Sequence, residues 1–269
     1  MKWNKKEGIN RLDLLKKELG RRPVKRDSPA LYSLSRRYFG SWNNMMIKAG
    51  YKCKKFQKPI IHNKITGDMY YFLGLLSTDG HIQALKKMHK YRVMLYTSEK
   101  EEVKIILKLI KRLFHYDASI RARKTGFSSR PNYEIYISSK KIACYLNRLG
   151  IPFGPKSFIM KVPQLVVGTR AKNFWHYFRG VFDGDGSIIF SGYTQILKIS
   201  SGSERFISGL RKRLLELGVS SFKMSKDQRG LWELKVSRKD VIKIIFRSMY
   251  HKAKYYYPRK KLKWEKQYI

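Results

Sequence analysis

Apolar positions along this 269-residue chain recur with two periods, and the order in which the periods alternate is itself repeated. Spacings of three and four residues, the mark of a helix with one buried face, run through Leu12, Leu15 and Leu19 and through Leu31, Leu34 and Phe39. They return through Trp42, Met45, Met46 and Ala49. Gly20 with Pro23 closes the first of these helices, Ser41 is a good N-cap for the third, and Gly50 ends it. Residues 1–50 therefore read as a small helical unit studded with Arg21, Arg22, Lys25, Arg26, Arg36 and Arg37. A helix-turn-helix-like DNA-binding module and a helical cap with a solvated basic face both fit that pattern. Residues 51–64 read as a basic linker.

Beyond the linker the pattern is duplicated. An apolar helical stretch ends at Asp79, and a hairpin follows from Ile82 to Thr97. A helix then runs through Val103, Ile106, Leu107, Ile110 and Leu113. Ser119 to Lys124 and Tyr133 to Ser138 read as strands, and Ile142, Leu146 and Leu149 mark a closing helix. After Asp185 the order returns: hairpin Ser187 to Ser200, helix Phe206 to Leu217, strands Ser221 to Ser225 and Leu231 to Ser237, helix Val241 to Met249. The run Tyr133-Glu134-Ile135-Tyr136-Ile137-Ser138 parallels Trp232-Glu233-Leu234-Lys235-Val236-Ser237, which makes the repeat structural. The fold expected is α+β, with two α-β-β-α-β-β-α halves at 65–150 and 171–269. A Gly- and Pro-bearing connector at 151–170 joins them.

Charge narrows the partner. Lys and Arg number 59 against 19 Asp and Glu, a formal net charge of +40, while 43% of residues are hydrophobic. That is a folded protein whose field favours a polyanion; nucleic acid leads, ahead of a ribosome-associated or membrane-surface protein. Cys53 and Cys144 have no metal or disulfide spacing, which suits a reducing compartment. No run is long enough to span a bilayer, and the charged N-terminus does not read as a secretory signal. The six histidines show no ligand spacing, and Tyr255 to Tyr268 reads as a basic surface segment. An intracellular, nucleoid-associated monomer is expected, with an organelle as the alternative location.

Against that basic background two acidic segments stand out: Phe72-Leu73-Gly74-Leu75-Leu76-Ser77-Thr78-Asp79-Gly80 and Phe178-Arg179-Gly180-Val181-Phe182-Asp183-Gly184-Asp185-Gly186. Gly74 and Thr78 share one helix face, as do Gly180 and Gly184, so two such helices can approach closely along it. Asp79 and Asp185 would then meet at two helix C-termini, whose partial negative charge adds to the carboxylates. A cation relieves that concentration of charge, and oxygen ligands of this kind suit Mg²⁺. Gly80 and Gly186 are expected in the left-handed conformation that turns the chain out of each helix. Metal beside DNA can generate a hydroxide and stabilise the leaving oxygen of a phosphodiester.

These doubled segments resemble the signature helix of the LAGLIDADG homing endonucleases, over about residues 65–269. The resemblance implies a single-chain site-specific DNA endonuclease of pseudo-twofold symmetry whose antiparallel sheets form a saddle over double-stranded DNA. It implies metal on Asp79 and Asp185, assisted by the carbonyls of Thr78 and Gly184, with Mg²⁺ or Mn²⁺ as cofactor. Lys198 falls where single-chain relatives often carry a basic residue near the scissile phosphate, with Lys235 and Lys239 as weaker candidates. The chain departs from the pattern at Ser77, where the second copy has Asp183, and at Leu73 and Arg179, where Ala is common. A weakened first copy would leave a nickase. Trp3, Leu19-Gly20-Arg21, Pro23, Asp27, Leu31-Tyr32, Phe39-Gly40-Ser41-Trp42-Asn43 and Ala49-Gly50 are similar to the short repeat attached to homing endonucleases, which favours a DNA-binding accessory role.

DNA contact is expected from outward residues of the strands and hairpin turns: Gln83, Lys86, Lys87, Arg92, Arg121, Arg123 and Lys124 in the first half. In the second half Tyr193, Gln195, Lys223, Lys226, Gln228, Arg229 and Lys235 are expected, with Arg21, Arg22, Arg36 and Arg37 adding contacts from the N-terminal unit. Host intron RNA, bound by a maturase of the same fold, is the alternative partner. A non-cleaving DNA-binding relative is a third reading, disfavoured by the retention of both Asp79 and Asp185.

Overall fold

The computed structural model describes residues 3–52, 57–88, 90–123 and 131–266, and the chain divides into two units, Met1–Gln57 and Lys58–Ile269. In the first unit, α1 (Lys5–Leu19), α2 (Pro29–Phe39) and α3 (Trp42–Lys48) close over Leu12, Leu31, Leu34, Trp42, Met45 and Met46. Local chemistry sets the helix ends. Asn4 and Glu7 exchange side-chain and backbone hydrogen bonds, and the Ser28 and Ser41 hydroxyls accept from Leu31 and Asn44 N–H groups. Gly20 ends α1 at φ 59°, in the left-handed region.

The second unit repeats one topology. Its first half runs α4 (Gly67–Thr78), β1 (Gly80–Leu85), β2 (Lys90–Thr97), α5 (Lys100–Phe114), β3 (Ser119–Arg123), β4 (Asn132–Ile137) and α6 (Lys140–Arg148). After the short α7 (Gln164–Val167), the second half runs α8 (Ala171–Asp185), β5 (Gly186–Ser191), β6 (Thr194–Ser201), α9 (Glu204–Glu216), β7 (Lys223–Lys226), β8 (Trp232–Val236) and α10 (Lys239–Tyr250). The antiparallel sheets are ordered β1-β2-β4-β3 and β5-β6-β8-β7. One buried face of each sheet and one face of the flanking helices share a single core running through both halves.

Two expectations are corrected. Gly80 and Gly186 are not left-handed: both begin strands, and Gly186 has φ −72° and ψ 150°. Glycine is required there by crowding, since a Cβ would lie 2.6 Å from Leu76 Cα at Gly80 and 2.5 Å from the Phe182 carbonyl at Gly186. The segment from Tyr255 onward is not a plain surface tail. Tyr255 and Tyr257 are buried, and Trp264 of α11 (Pro258–Glu265) stacks on Phe246 with ring centroids 4.2 Å apart. The connector, too, is part of the core: Ile151, Met160, Val162 and Val166 are buried, and Phe153 forms a parallel bridge with Ile82 of β1. The expected linker is shared between the units. Tyr51 packs on the first core, whereas Ile60 donates its N–H to the Phe114 carbonyl (3.0 Å) and Ile61 and Ile65 pack on the second.

Candidate active site

α4 is buried from Met69 to Ser77, as a helix sandwiched between two halves must be. It crosses α8 backbone to backbone. A Cβ on Gly74 would lie 2.2 Å from the Tyr177 carbonyl, and one on Gly180 would lie 2.2 Å from the Tyr71 carbonyl. A Cβ on Gly184 would strike the Thr78 side chain. Gly74, Thr78, Gly180 and Gly184 thus form the interface, as the shared helix face implied. Polar exchange across it is reciprocal. Tyr71 of α4 donates to Asp183 of α8 (2.8 Å), while Tyr177 of α8 shares a 3.0 Å hydrogen bond with Ser77 of α4.

This crossing brings Asp79, the C-cap of α4, beside the end of α8: a Cβ on Gly184 would sit 3.1 Å from Asp79 Oδ2. Partial desolvation and the neighbouring Asp185 charge push the Asp79 carboxyl up to about 6, with Lys260 and Lys156 opposing. Asp185 is open to solvent on one side and hemmed by protein on the other; desolvation raises it too, against the same two lysines. The lysines occupy matching places in the two halves. Lys156 of the connector donates to the Ser77 carbonyl (2.8 Å) and to that of Thr78. Lys260 of α11 donates to the Phe182 and Gly184 carbonyls, both at 2.6 Å. Each ammonium satisfies carbonyls that a helix end leaves unpaired and offsets its partial charge. Burial lowers both, Lys260 to about 8.

Each lysine-bearing segment is braced by the opposite half. Ser203 at the start of α9 donates its hydroxyl to the Met160 carbonyl, and Gly202 lies against Ser157 and Phe158. Conversely, Arg259 reaches Glu102 of α5 (3.6 Å), whose carboxylate also accepts from Thr97. A groove of about 300 Å³ lined by Thr78, Lys156, Phe158, Asp185 and Gly202 opens at one side of this centre. Among the described residues neither Asp79 nor Asp185 has a hydrogen-bond or ion-pair partner, because the lysines are spent on carbonyls. Two such carboxylates are a hard oxygen donor set that fits a divalent cation of the Mg²⁺ or Mn²⁺ kind. The Thr78 and Gly184 carbonyls, expected to assist, already accept from Lys156 and Lys260.

Asp183 plays another part. It is buried, and its oxygens are taken by the Tyr71 and Tyr250 hydroxyls (2.8 and 2.6 Å) and by the Tyr257 N–H (2.9 Å). Burial raises its carboxyl to about 6 against these donors. Arg179 lies over the Tyr71 ring and donates to the Met249 (2.6 Å) and Tyr255 (2.9 Å) carbonyls.

The sheet registers sort the expected DNA-facing residues. Gln83, Arg92 and Arg121 fall on the face away from the core, and both guanidiniums lie over the Tyr136 ring (5.3 and 4.8 Å). In the second sheet Lys198, Lys235 and Lys223 share that face, while Gln195 and Lys226 have the opposite parity. Lys198 does not join the carboxylate pair; its ammonium lies 2.7 Å from buried Glu233, which also holds Lys235. Its counterpart in the first sheet is Met94. Tyr193 at the hairpin tip and Lys87 and Gln228 in turns are exposed, and Arg229 pairs with Asp227 (2.9 Å). Lys239 is the exposed first residue of α10. In the first unit Arg36 and Arg37 are exposed. Arg21 grips Asp27 with two hydrogen bonds, and Arg22 donates to the Lys52 carbonyl. Lys124 and the side chains of Lys86 and Arg123 lie outside the described residues.

Comparison with known proteins finds similarity in two segments and in the fold. Residues 176–248 match the family model described as a LAGLIDADG-like domain. This segment of the second half is similar to LAGLIDADG domains. Residues 3–52 match the homing endonuclease associated repeat. The LAGLIDADG fold extends over both halves. A structure from a set of mesophilic variants of the homing endonuclease I-DmoI matches 70% of this chain and 97% of its own, with TM-score 0.51 and 20% identity. I-DmoI in complex with DNA and Mn matches 68% of this chain and 97% of its own, with TM-score 0.51 and 20% identity. The homing endonuclease I-WcaI bound to its DNA recognition sequence matches 75% of this chain and 88% of its own, with TM-score 0.54 and 13% identity. No curated protein sequence matches the chain. Among the described residues no helix is long and apolar enough to cross a membrane.

Around the two carboxylates singled out by the sequence, the structure adds Lys156, Lys260 and Glu102, none of which the sequence pattern pointed to. The only available signal was positional: Lys156 and Lys260 each follow a proline shortly after the last helix of their half.

Proposed function

We propose that this chain is a site-specific endonuclease that hydrolyses both strands of a DNA target with a divalent cation, Mg²⁺ or Mn²⁺, held by Asp79 and Asp185. The observation that carries the reading is the pair of carboxylates, without a partner among the described residues, delivered by crossed helix ends with one lysine fixed beside each end. When bound, the cation supplies an activated water and neutralises charge on the leaving oxygen. The chain's own residues do the rest. Lys156 and Lys260 place fixed positive charge where a phosphate would develop negative charge, in a partly desolvated site where such charge acts strongly. Lys260 Nζ, near 8, stays mostly protonated at neutral pH. Gln83, Arg92, Arg121, Lys223 and Tyr193 present side chains to groove and backbone, and the cationic surface supplies the salt-dependent share of affinity. Arg36 and Arg37 add phosphate contacts from the N-terminal unit. The similarity of I-DmoI and I-WcaI, described with DNA and in one case Mn, supports the same substrate class here.

The test is cleavage selection. The purified chain is incubated with a randomised duplex library and Mg²⁺, and cut ends are mapped on both strands. Recovery of one recognition sequence, cut on both strands and blocked by chelator, is expected. Cutting without sequence preference, or cutting that survives chelation, would overturn the proposal.

A further inference from the structure

The two halves hold their lysines by different means, and the difference traces to the position where the signature segments diverge. In the first half, Ser77 spends its hydroxyl within the helix pair, on the Leu73 carbonyl (2.8 Å) and on Tyr177. The Lys156 segment is held instead through the connector's backbone: Gly154 donates to the Ile82 carbonyl (2.8 Å), beside the Phe153 bridge. In the second half, Asp183 reaches out of the helix pair. Its Oδ2 accepts the Tyr257 N–H (2.9 Å), and its Oδ1 accepts from Tyr250 at the end of α10 (2.6 Å). Tyr257 is the N-cap of α11, and Lys260 lies one turn further on, with its Nζ on the Phe182 and Gly184 carbonyls. One buried carboxylate therefore joins the end of α8, the end of α10 and the start of α11.

We infer that Asp183 is a positioning residue that seats the C-terminal segment and thereby sets Lys260 beside Asp185. This rests on the endonuclease reading for its consequence in cutting, though not for its structural content. A serine in place of Asp183 cannot span to the Tyr257 N–H, so the start of α11 loses its charge-assisted anchor. Lys260 then samples positions away from the α8 end. Lys156, anchored through Ile82 and Gly154, stays in place. An Asn at 183 keeps an acceptor for the Tyr257 N–H, so it restores the anchor in part. The consequence is one-sided: the strand served by the Asp185 end slows, and a nicked intermediate accumulates.

Amide hydrogen exchange on the free protein tests the structural claim without any substrate. Asp183→Ser is expected to speed exchange over residues 257–262 by about tenfold or more, the scale of losing one hydrogen bond to a charged group. Residues 153–160 should keep the parental rate, and Asp183→Asn should fall between the two. Exchange that rises equally in both segments would reduce Asp183 to general core stability and overturn the inference, as would no change at 257–262. With a cognate duplex labelled on both strands, Asp183→Ser should raise the ratio of nicked to fully cut product with KM unchanged. Parental nicking despite faster exchange would also refute the positioning role. Absence of cutting by the wild-type chain would count against the endonuclease reading alone, since the exchange result stands without it.

Discussion

A methyl group placed on Gly180 tests whether backbone contact between α4 and α8 really holds the halves together. In Gly180→Ala the new Cβ would lie 2.2 Å from the Tyr71 carbonyl oxygen and 2.9 Å from the Leu75 nitrogen, both backbone atoms that no rotamer change can move. Relief requires the helices to part by roughly 1 Å, opening a seam in a core whose density otherwise tolerates no such gap. Overpacking of this kind costs about 1–3 kcal/mol, against a helix-propensity gain from Gly to Ala of about 0.5–1 kcal/mol, so a net destabilisation of about 1–2 kcal/mol is expected. For a unit of this size that corresponds to a fall in Tm of roughly 2–8 °C, measured by calorimetry. Gly168→Ala is the control, because Gly168 has φ −95° and nothing lies within 4 Å of its Cβ position. It should be neutral or stabilising by up to about 1 kcal/mol through the unfolded chain. If Gly180→Ala matches this control, the close-contact account of the interface is wrong.

Glu233, buried between Lys198 and Lys235, has its carboxyl held low by those lysines against the cost of burial. A lowered folded value means its stabilisation is present above the ordinary glutamate range and fades as pH falls through the folded value. Glu233→Gln should therefore cost about 1–2 kcal/mol at pH 7, since both lysines can still reach water, and the difference should vanish in acid melts. Deleting residues 1–57 should weaken DNA binding and leave the cut position unchanged. The dependence of affinity on log salt should flatten by roughly one unit of slope for each phosphate no longer neutralised. A shifted cut position would place the N-terminal unit in the reacting fold. In that unit the Arg21 guanidinium holds Asp27 down to about 2. Its contribution to stability should persist to about pH 4 and be lost below it, and Asp27→Asn should abolish that acid sensitivity in circular-dichroism titrations.

What the sequence could disclose was whatever is written in local spacing. The Gly74–Thr78 and Gly180–Gly184 faces and the terminal Asp79 and Asp185 lie within single helical turns, so periodicity alone placed them at one crossing. The matched order of elements along the two halves was legible for the same reason. Lys156 and Lys260 were not. Each reaches its helix end from more than seventy residues away in sequence, and among 59 Lys and Arg residues no composition signal distinguishes them. Tyr255 and Tyr257 were misread because they sit among lysines in a segment without periodicity; their segment is held by Arg179 on the Tyr255 carbonyl, by Asp183 on the Tyr257 N–H and by the stacking of Trp264 on Phe246. Gly80 and Gly186 were assigned the right residue type for the wrong reason. A left-handed turn and a crowded backbone both demand glycine, and only packing separates them. Lys198 was expected near the scissile phosphate from resemblance, and its salt bridge depends on a strand pairing with Glu233 that local pattern does not reveal.

The central claim is that each signature helix contributes one carboxylate to a cation-dependent cutting site. The direct measurement is cleavage of a cognate duplex, labelled on both strands, by Asp79→Asn and Asp185→Asn in Mg²⁺, alongside binding by gel shift. Each variant should bind at near-parental affinity and fail to cut the duplex. Double-strand cutting at the parental rate by either variant would contradict the account.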